Sequence, residues 1–69
     1  MNKCTMVLPY YKAGKLLDWN LKLWESYPDD VKNCMQYIII DDGSPEDKAI
    51  DHLDAKRLKE QNIPIDLYE

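Results

Sequence analysis

The stretch Tyr37-Ile38-Ile39-Ile40-Asp41-Asp42-Gly43-Ser44-Pro45-Glu46 decides the fold of this chain. Residues 35–40 are continuously apolar apart from Gln36, the pattern of a short strand covered on both faces, as in a parallel sheet. Two carboxylates follow, and carboxylates placed after a buried strand lie at its C-terminal end, where open α/β sheets bind ligands. Helix-start signals come next. Ser44 can cap, Pro45 suits the first helical position, and Glu46 and Asp47 favour the positive helix end. Ser44 to Asp47 also approximates a capping box, with Asp in place of Glu. A helix is therefore predicted from here to about Gln61, with Ala49, Ile50, Leu53 and Leu58 facing inward and Asn62 as its terminator.

Upstream, Cys4-Thr5-Met6-Val7-Leu8-Pro9-Tyr10-Tyr11 reads as a first strand. Between the two strands, Leu17, Leu21 and Trp24 recur at i, i+4 and i+7, one face of a helix, which Leu16, Trp19 and Leu23 are expected to widen. Tyr27-Pro28 ends that helix, because the residue before proline avoids the helical region, and Pro28-Asp29-Asp30 makes a turn. Downstream, Ile63 to Tyr68 reads as a third strand, with Pro64 at an edge or near the strand's start. The order is β-α-β-α-β. Crossovers of helix length imply parallel strands with right-handed connections. The expected architecture is an α/β, three-stranded parallel sheet in the order 3-2-1 with two helices on one face. The other face is apolar and has no covering layer within these residues, so more polypeptide in a longer relative, a second copy or another protein is expected to cover it.

Size and composition bound the rest. Sixty-nine residues make one small domain, which buries roughly 60% of its unfolded surface. The 45% apolar content argues against disorder. A formal net charge of -4 argues against a nucleic-acid binder working by phosphate neutralisation. No apolar run approaches the roughly 18 residues of a membrane span. Met1-Asn2-Lys3-Cys4 does not open a secretory signal, which leaves the cytoplasm as the expected compartment. Cys4 and Cys34 fit no metal or redox spacing and read as small buried thiols; with His52 the single histidine, a zinc site is not expected.

Two segments, Met6-Val7-Leu8-Pro9-Tyr10-Tyr11 and Ile38-Ile39-Ile40-Asp41-Asp42-Gly43-Ser44, separated by one amphipathic helix, resemble the start of a family-2-type glycosyltransferase of the GT-A fold. That family opens with a strand ending in a Pro-x-Tyr-Asn or similar segment and continues, after a helix, to a strand ending in Asp-Asp-Gly-Ser. The resemblance covers nearly all of residues 1–69 but only about the first third of such a domain, and implies a partial Rossmann-like GT-A half-domain, a single truncated βαβαβ unit that binds a nucleotide sugar. By that resemblance Tyr11 stacks on the base, the backbone near Pro9 lines the pocket, and Asp42 accepts a hydrogen bond from the base edge, typically uracil. Gly43 permits the tight turn, Asp41 supports that turn, and Ser44 caps the following helix. Each role also suits the residue's chemistry: a Tyr face fits a flat ring, a carboxylate reads an imide N–H, and glycine allows positive φ.

The departures matter as much. Lys12 stands where the family has Asn, and reads as a solvated lysine. The family's Asp-x-Asp metal motif and its catalytic base are missing; Asp51-His52-Leu53-Asp54 has the wrong spacing. A full-length relative is expected to use Mn²⁺ or Mg²⁺ to neutralise the departing diphosphate and a base to activate the acceptor hydroxyl. No cofactor, metal ligand or catalytic residue is expected in this chain, which is read as the nucleotide-recognising part of an inverting transferase using a UDP-type donor, inactive alone. The alternative is a non-enzymatic βαβαβ module that self-associates or assembles with a partner through its uncovered sheet face. A phosphoacceptor receiver fits less well, because receivers place their acidic pair after the first strand. His52 and the segment from Asp54 to Glu60 read as solvated helix surface.

Overall fold

The computed structural model describes residues 4–69. Met1-Asn2-Lys3 lies outside them, and with it part of the reading of the N-terminus as no secretory signal. The elements are β1 (Cys4–Tyr10), α1 (Gly14–Glu25), a one-turn α2 (Asp29–Lys32), β2 (Met35–Asp41), a 3-10 turn (Ala49–His52), α3 (Ala55–Glu60) and β3 (Ile65–Tyr68). The three strands form one parallel sheet with β2 in the centre, the order expected from two crossovers. Register runs from Cys4 opposite Met35 to Tyr10 opposite Asp41, and β3 pairs Ile65 with Tyr37 and Tyr68 with Ile40.

The period of two along each strand separates the faces. On one, Tyr10, Tyr37 and Ile39 are buried, and with Leu17, Leu21 and Trp24 of α1, Ala49 and Ile63 they form the core. Trp24 and Tyr37 stack with ring centroids 4.2 Å apart. Leu53 and Leu58 pack against the same cluster, so the second crossover covers the same face as α1. The other face carries Val7, Ile40 and Tyr68, which are 53%, 45% and 58% exposed. Pro9 and Ile40 are paired, as are Ile40 and Tyr68, so Pro9, Ile40 and Tyr68 form one cross-strand row. The apolar run of β2 is thus half covered here, and its uncovered side is the open face anticipated from the pattern.

Three expectations are corrected. First, the buried stripe of α1 is narrow: Gly14, Leu17, Leu21 and Trp24 are buried, while Leu16, Trp19 and Leu23 are exposed. A small three-stranded sheet offers one helix a seam, and residues 100° or more off that seam have nothing to meet. Second, no continuous helix runs from Ser44 to Gln61. Residues 45–47 bend, the 3-10 turn spans Ala49–His52, and α3 begins only at Ala55. Asp54, read as solvated helix surface, is the N-cap of α3; its Oδ1 accepts from the Lys56 and Arg57 amides. Third, Cys4 is exposed and Cys34 half-buried, because both sit where the strands begin, at the rim of the sheet.

The ends of the helices follow known chemistry. Asn62 adopts φ 56° beyond the α3 C-cap. Ile63 N–H donates to Leu58 O at 2.9 Å and Asn62 N–H to Lys59 O at 3.2 Å, the paired bonds of a Schellman stop, with Asn at the left-handed position. Pro64 immediately precedes the edge strand β3, and its carbonyl accepts from Tyr37 N. Pro28-Asp29-Asp30 is not a bare turn: Pro28 is the N-cap of α2, whose first turn carries both acids. Arg57 of α3 and Glu25 at the end of α1 form a forked ion pair, Nη2 to Oε1 2.6 Å, that ties the two crossovers together.

Candidate functional site

The C-terminal ends of β1 and β2 meet at Tyr10 and Asp41, and the Asp42 amide donates to Tyr10 O at 2.9 Å. That contact sets the two post-strand segments, Tyr11-Lys12 and Asp42-Gly43-Ser44, side by side at one edge. The Lys12 amide donates to Ser44 Oγ at 3.0 Å, closing the pair. Tyr11 is 53% exposed, with the Lys12 ammonium 5.4 Å from its ring centroid. Lys12, read as solvated, therefore lies over an aromatic face and 3.9 Å from Glu46. Asp42 and Gly43 are exposed. Gly43 has φ 69°, so an alanine there would be strained even though a Cβ meets nothing within 4 Å. Pro9 projects onto the open sheet face, opposite in sense to Tyr10.

The two acids of the pair have different environments. Asp42 faces solvent, whereas Asp41 is buried and fully engaged. Asp41 Oδ1 accepts from Ser44 Oγ at 2.6 Å and Ser44 N at 3.0 Å, and Oδ2 accepts from Ala49 N at 3.0 Å. The Ser44 hydroxyl bond is the main cause that holds the Asp41 carboxyl below its ordinary 3.8; the Ala49 and Ser44 amides add to it against the upward push of burial. Ser44 does not cap a helix, contrary to the sequence reading. Its hydroxyl donates to Asp41 and accepts from Lys12 N, a use that the sequence signature of a capping residue cannot distinguish.

A second cluster at the same edge escaped the sequence reading. Asp47, with φ 50°, turns its carboxylate toward the start of α1. Oδ2 accepts from Gly14 N at 3.0 Å and supplies the cap that Ala13, the residue at the N-cap position, lacks. Oδ1 lies 2.5 Å from His52 Nε2, and His52 Nδ1 lies 3.0 Å from Asp18 Oδ1. The Tyr10 hydroxyl donates to the Asp47 carbonyl. His52 is not a solvated surface residue: its side chain is 21% exposed, between two carboxylates. The one signal in the sequence was Gly14 at the head of an otherwise strong helix, the mark of a close approach.

Two hollows on the described surface have separate positions. One of about 160 Å³ is lined by Asp41, Gly43, Ser44, Lys48 and Glu69, at the strand ends. A larger groove of about 400 Å³ runs along α3 and the start of β3, lined by Leu58, Asn62, Ile63 and Ile65 among others, away from the carboxylates. Only the smaller adjoins polar groups of the post-strand turns. Among the described residues no group of three or more His, Cys, Asp or Glu side chains is arranged to hold a metal ion, and no helix is long and apolar enough to cross a membrane. No family model, curated protein or solved structure matches the chain.

The hydrogen-bonded carboxylates of the two post-strand loops set an acid limit. Asp41 and Asp47 both have carboxyl groups held below 3.8, Asp47 chiefly by its bond to His52 and next by the Gly14 amide. A depressed carboxyl contributes stability that is present above its unfolded value and is lost as pH falls through the folded value. The urea midpoint is therefore expected to fall progressively below about pH 3.8, and Asp41→Asn to flatten that acid limb while lowering the midpoint at neutral pH. Urea titrations between pH 7 and pH 2 on both proteins check this. An unchanged acid limb in Asp41→Asn would remove Asp41 from the account.

Proposed function

We propose that this chain is the nucleotide-recognising part of a family-2-type glycosyltransferase, the part that grips the nucleotide of a UDP-type sugar donor, and that it performs no sugar transfer alone. The observation that carries the reading is the Asp42 amide to Tyr10 carbonyl bond, which sets an exposed aromatic face and an exposed carboxylate on adjacent strand ends. Such a pair has the two properties needed to read a pyrimidine-dione: a flat surface for stacking and an acceptor for the imide N–H. The strand ends of an open parallel sheet are also where such ligands sit. Asp41, with both oxygens engaged in three hydrogen bonds, serves as the brace of the turn, and Gly43 supplies its left-handed bend.

Calorimetric titration of the folded chain with UDP, with and without Mn²⁺, tests the reading. Binding is expected without Mn²⁺, since neither Tyr11 nor Asp42 needs a metal to meet a base. Asp42→Ala is expected to weaken it about 10- to 100-fold, the range for losing one hydrogen bond to a charged group. Uptake of UDP that is indifferent to Asp42→Ala would sink the assignment of that residue. A folded chain that takes up no UDP would favour the second reading, a βαβαβ module acting in assembly. The specific support for that reading is the open sheet face with Val7, Ile40 and Tyr68 exposed.

A further inference from the structure

His52 has carboxylate oxygens at both ring nitrogens, Asp47 Oδ1 at 2.5 Å from Nε2 and Asp18 Oδ1 at 3.0 Å from Nδ1. A neutral imidazole carries one N–H and one lone pair, so it can donate to only one of them. At the other it would set a lone pair against an anionic oxygen at hydrogen-bond distance. The imidazolium donates to both. We infer that His52 is a proton-operated clasp: charged, it ties α1, through Asp18 and through the Asp47 carboxylate that caps Gly14, to the loop after β2; neutral, it releases one of the two carboxylates. The inference is independent of any nucleotide. It concerns the shape of the loop that carries Tyr11 and Lys12, because Gly14 begins α1 only two residues beyond Lys12.

The surroundings favour the charged ring. Asp18 faces it from α1 and Asp47 from the 42–48 loop. From β1, the hydroxyl of Tyr10 reaches the Asp47 carbonyl. The hydrogen bond to Asp47 is the largest influence and raises the imidazole above its ordinary 6.5; burial opposes it, and Asp18 adds to the rise. The ring also packs against Gly14 so closely that a Cβ at that position would lie 2.3 Å from Cε1 and Nε2. A raised imidazole contributes stability that is whole below its unfolded value and disappears as pH climbs through its folded value. The clasp is thus shut below pH 6.5 and opens as pH climbs through the raised midpoint of the ring.

Proton NMR of the whole chain tests this with little ambiguity, because His52 is the single histidine and Gly14 and Gly43 are the only glycines. The expected result is a His52 ring midpoint above 6.5, with the Gly14 amide signal titrating at the same midpoint and the urea midpoint falling over the same interval. His52→Gln is expected to abolish the Gly14 titration. Asp18→Asn, a change at a half-exposed side chain, is expected to keep the fold and move the ring midpoint down. A wild-type ring midpoint at or below 6.5 would overturn the clasp. So would a Gly14 amide that ignores the ring, or a Gly14 titration that persists in His52→Gln.

Discussion

Replacing Trp24 by alanine is expected to remove much or all of the chain's stability at room temperature and to lower its urea midpoint sharply. Trp24 is fully buried at the centre of the seam between α1 and the sheet, stacked on Tyr37 and in one core with Leu17, Leu21 and Ile39. Truncating a buried Trp or Phe to alanine costs about 3–5 kcal/mol. A chain of this length has roughly 3–10 kcal/mol of total stability, at 0.05–0.15 kcal/mol per residue. The loss thus consumes much or all of it. The Trp24 Nε1 and the Tyr37 hydroxyl have no protein hydrogen-bond partner. Trp24→Phe therefore removes an unpaired donor along with some volume, keeps a ring on Tyr37, and is expected to cost less than half as much. Urea titration followed by far-UV circular dichroism is the suitable measurement, because Trp19 stays fluorescent in both variants. A cooperative Trp24→Ala transition close to the wild-type midpoint would show that the seam does not hold the domain together.

Gly14→Ala is the second large effect, and its sign runs against helix propensity. Within an exposed helix, Gly to Ala gains up to about 1 kcal/mol. Here the new methyl carbon would lie 2.3 Å from two atoms of the His52 ring and 2.6 Å from Asp47 Oδ1, all closer than real contacts permit. The ring cannot swing aside without breaking its bonds to Asp18 and Asp47, and Asp47 cannot retreat without uncapping α1. A net loss of about 1–3 kcal/mol is expected, the usual range for overpacking. The double variant Gly14→Ala with His52→Ala is expected to recover part of it, since removing the ring opens the space; that non-additivity is the signature of direct contact. A Gly14→Ala protein more stable than wild type would mean that the helix start and the ring are not in contact.

The clasp and the Asp41 turn together explain why two loops hold a defined shape at the C-terminal edge of so small a sheet. Each is closed by a carboxylate reaching across the chain: Asp41 from the end of β2 to Ser44 and Ala49, and Asp47 from the following loop to Gly14 and His52. The domain is therefore bracketed in pH. Carboxylate bonds fail as pH falls below 3.8, and the imidazolium is lost as pH rises above 6.5. Tyr11 and Asp42 sit on these braced loops while remaining exposed themselves, which is the division of labour expected of a binding edge: rigid supports behind, accessible groups in front.

How much of this could be read from residues alone differs by kind. The three strands, their parallel order, the α1 helix with its Leu17-Leu21-Trp24 stripe and the stop at Asn62 were all legible, because apolar period and local stop signals are properties of neighbouring residues. The uncovered face was legible too, since two crossovers on one side leave the other bare. Local reading failed where the same residue types serve two purposes. Ser44, Pro45, Glu46 and Asp47 are good helix starters, yet Ser44 and Asp47 are held by partners more than 30 positions away, at Lys12 and Gly14, and the helix starts instead at Asp54. His52 beside charged neighbours looks solvated until the fold brings Asp18 to its other nitrogen. The sequence by itself determined the strand order and the seam, because short-range periodicity dictates which faces must be buried. Only the tertiary structure decided the shape of the loops at the strand ends, because that shape depends on hydrogen bonds between groups that no local pattern can pair.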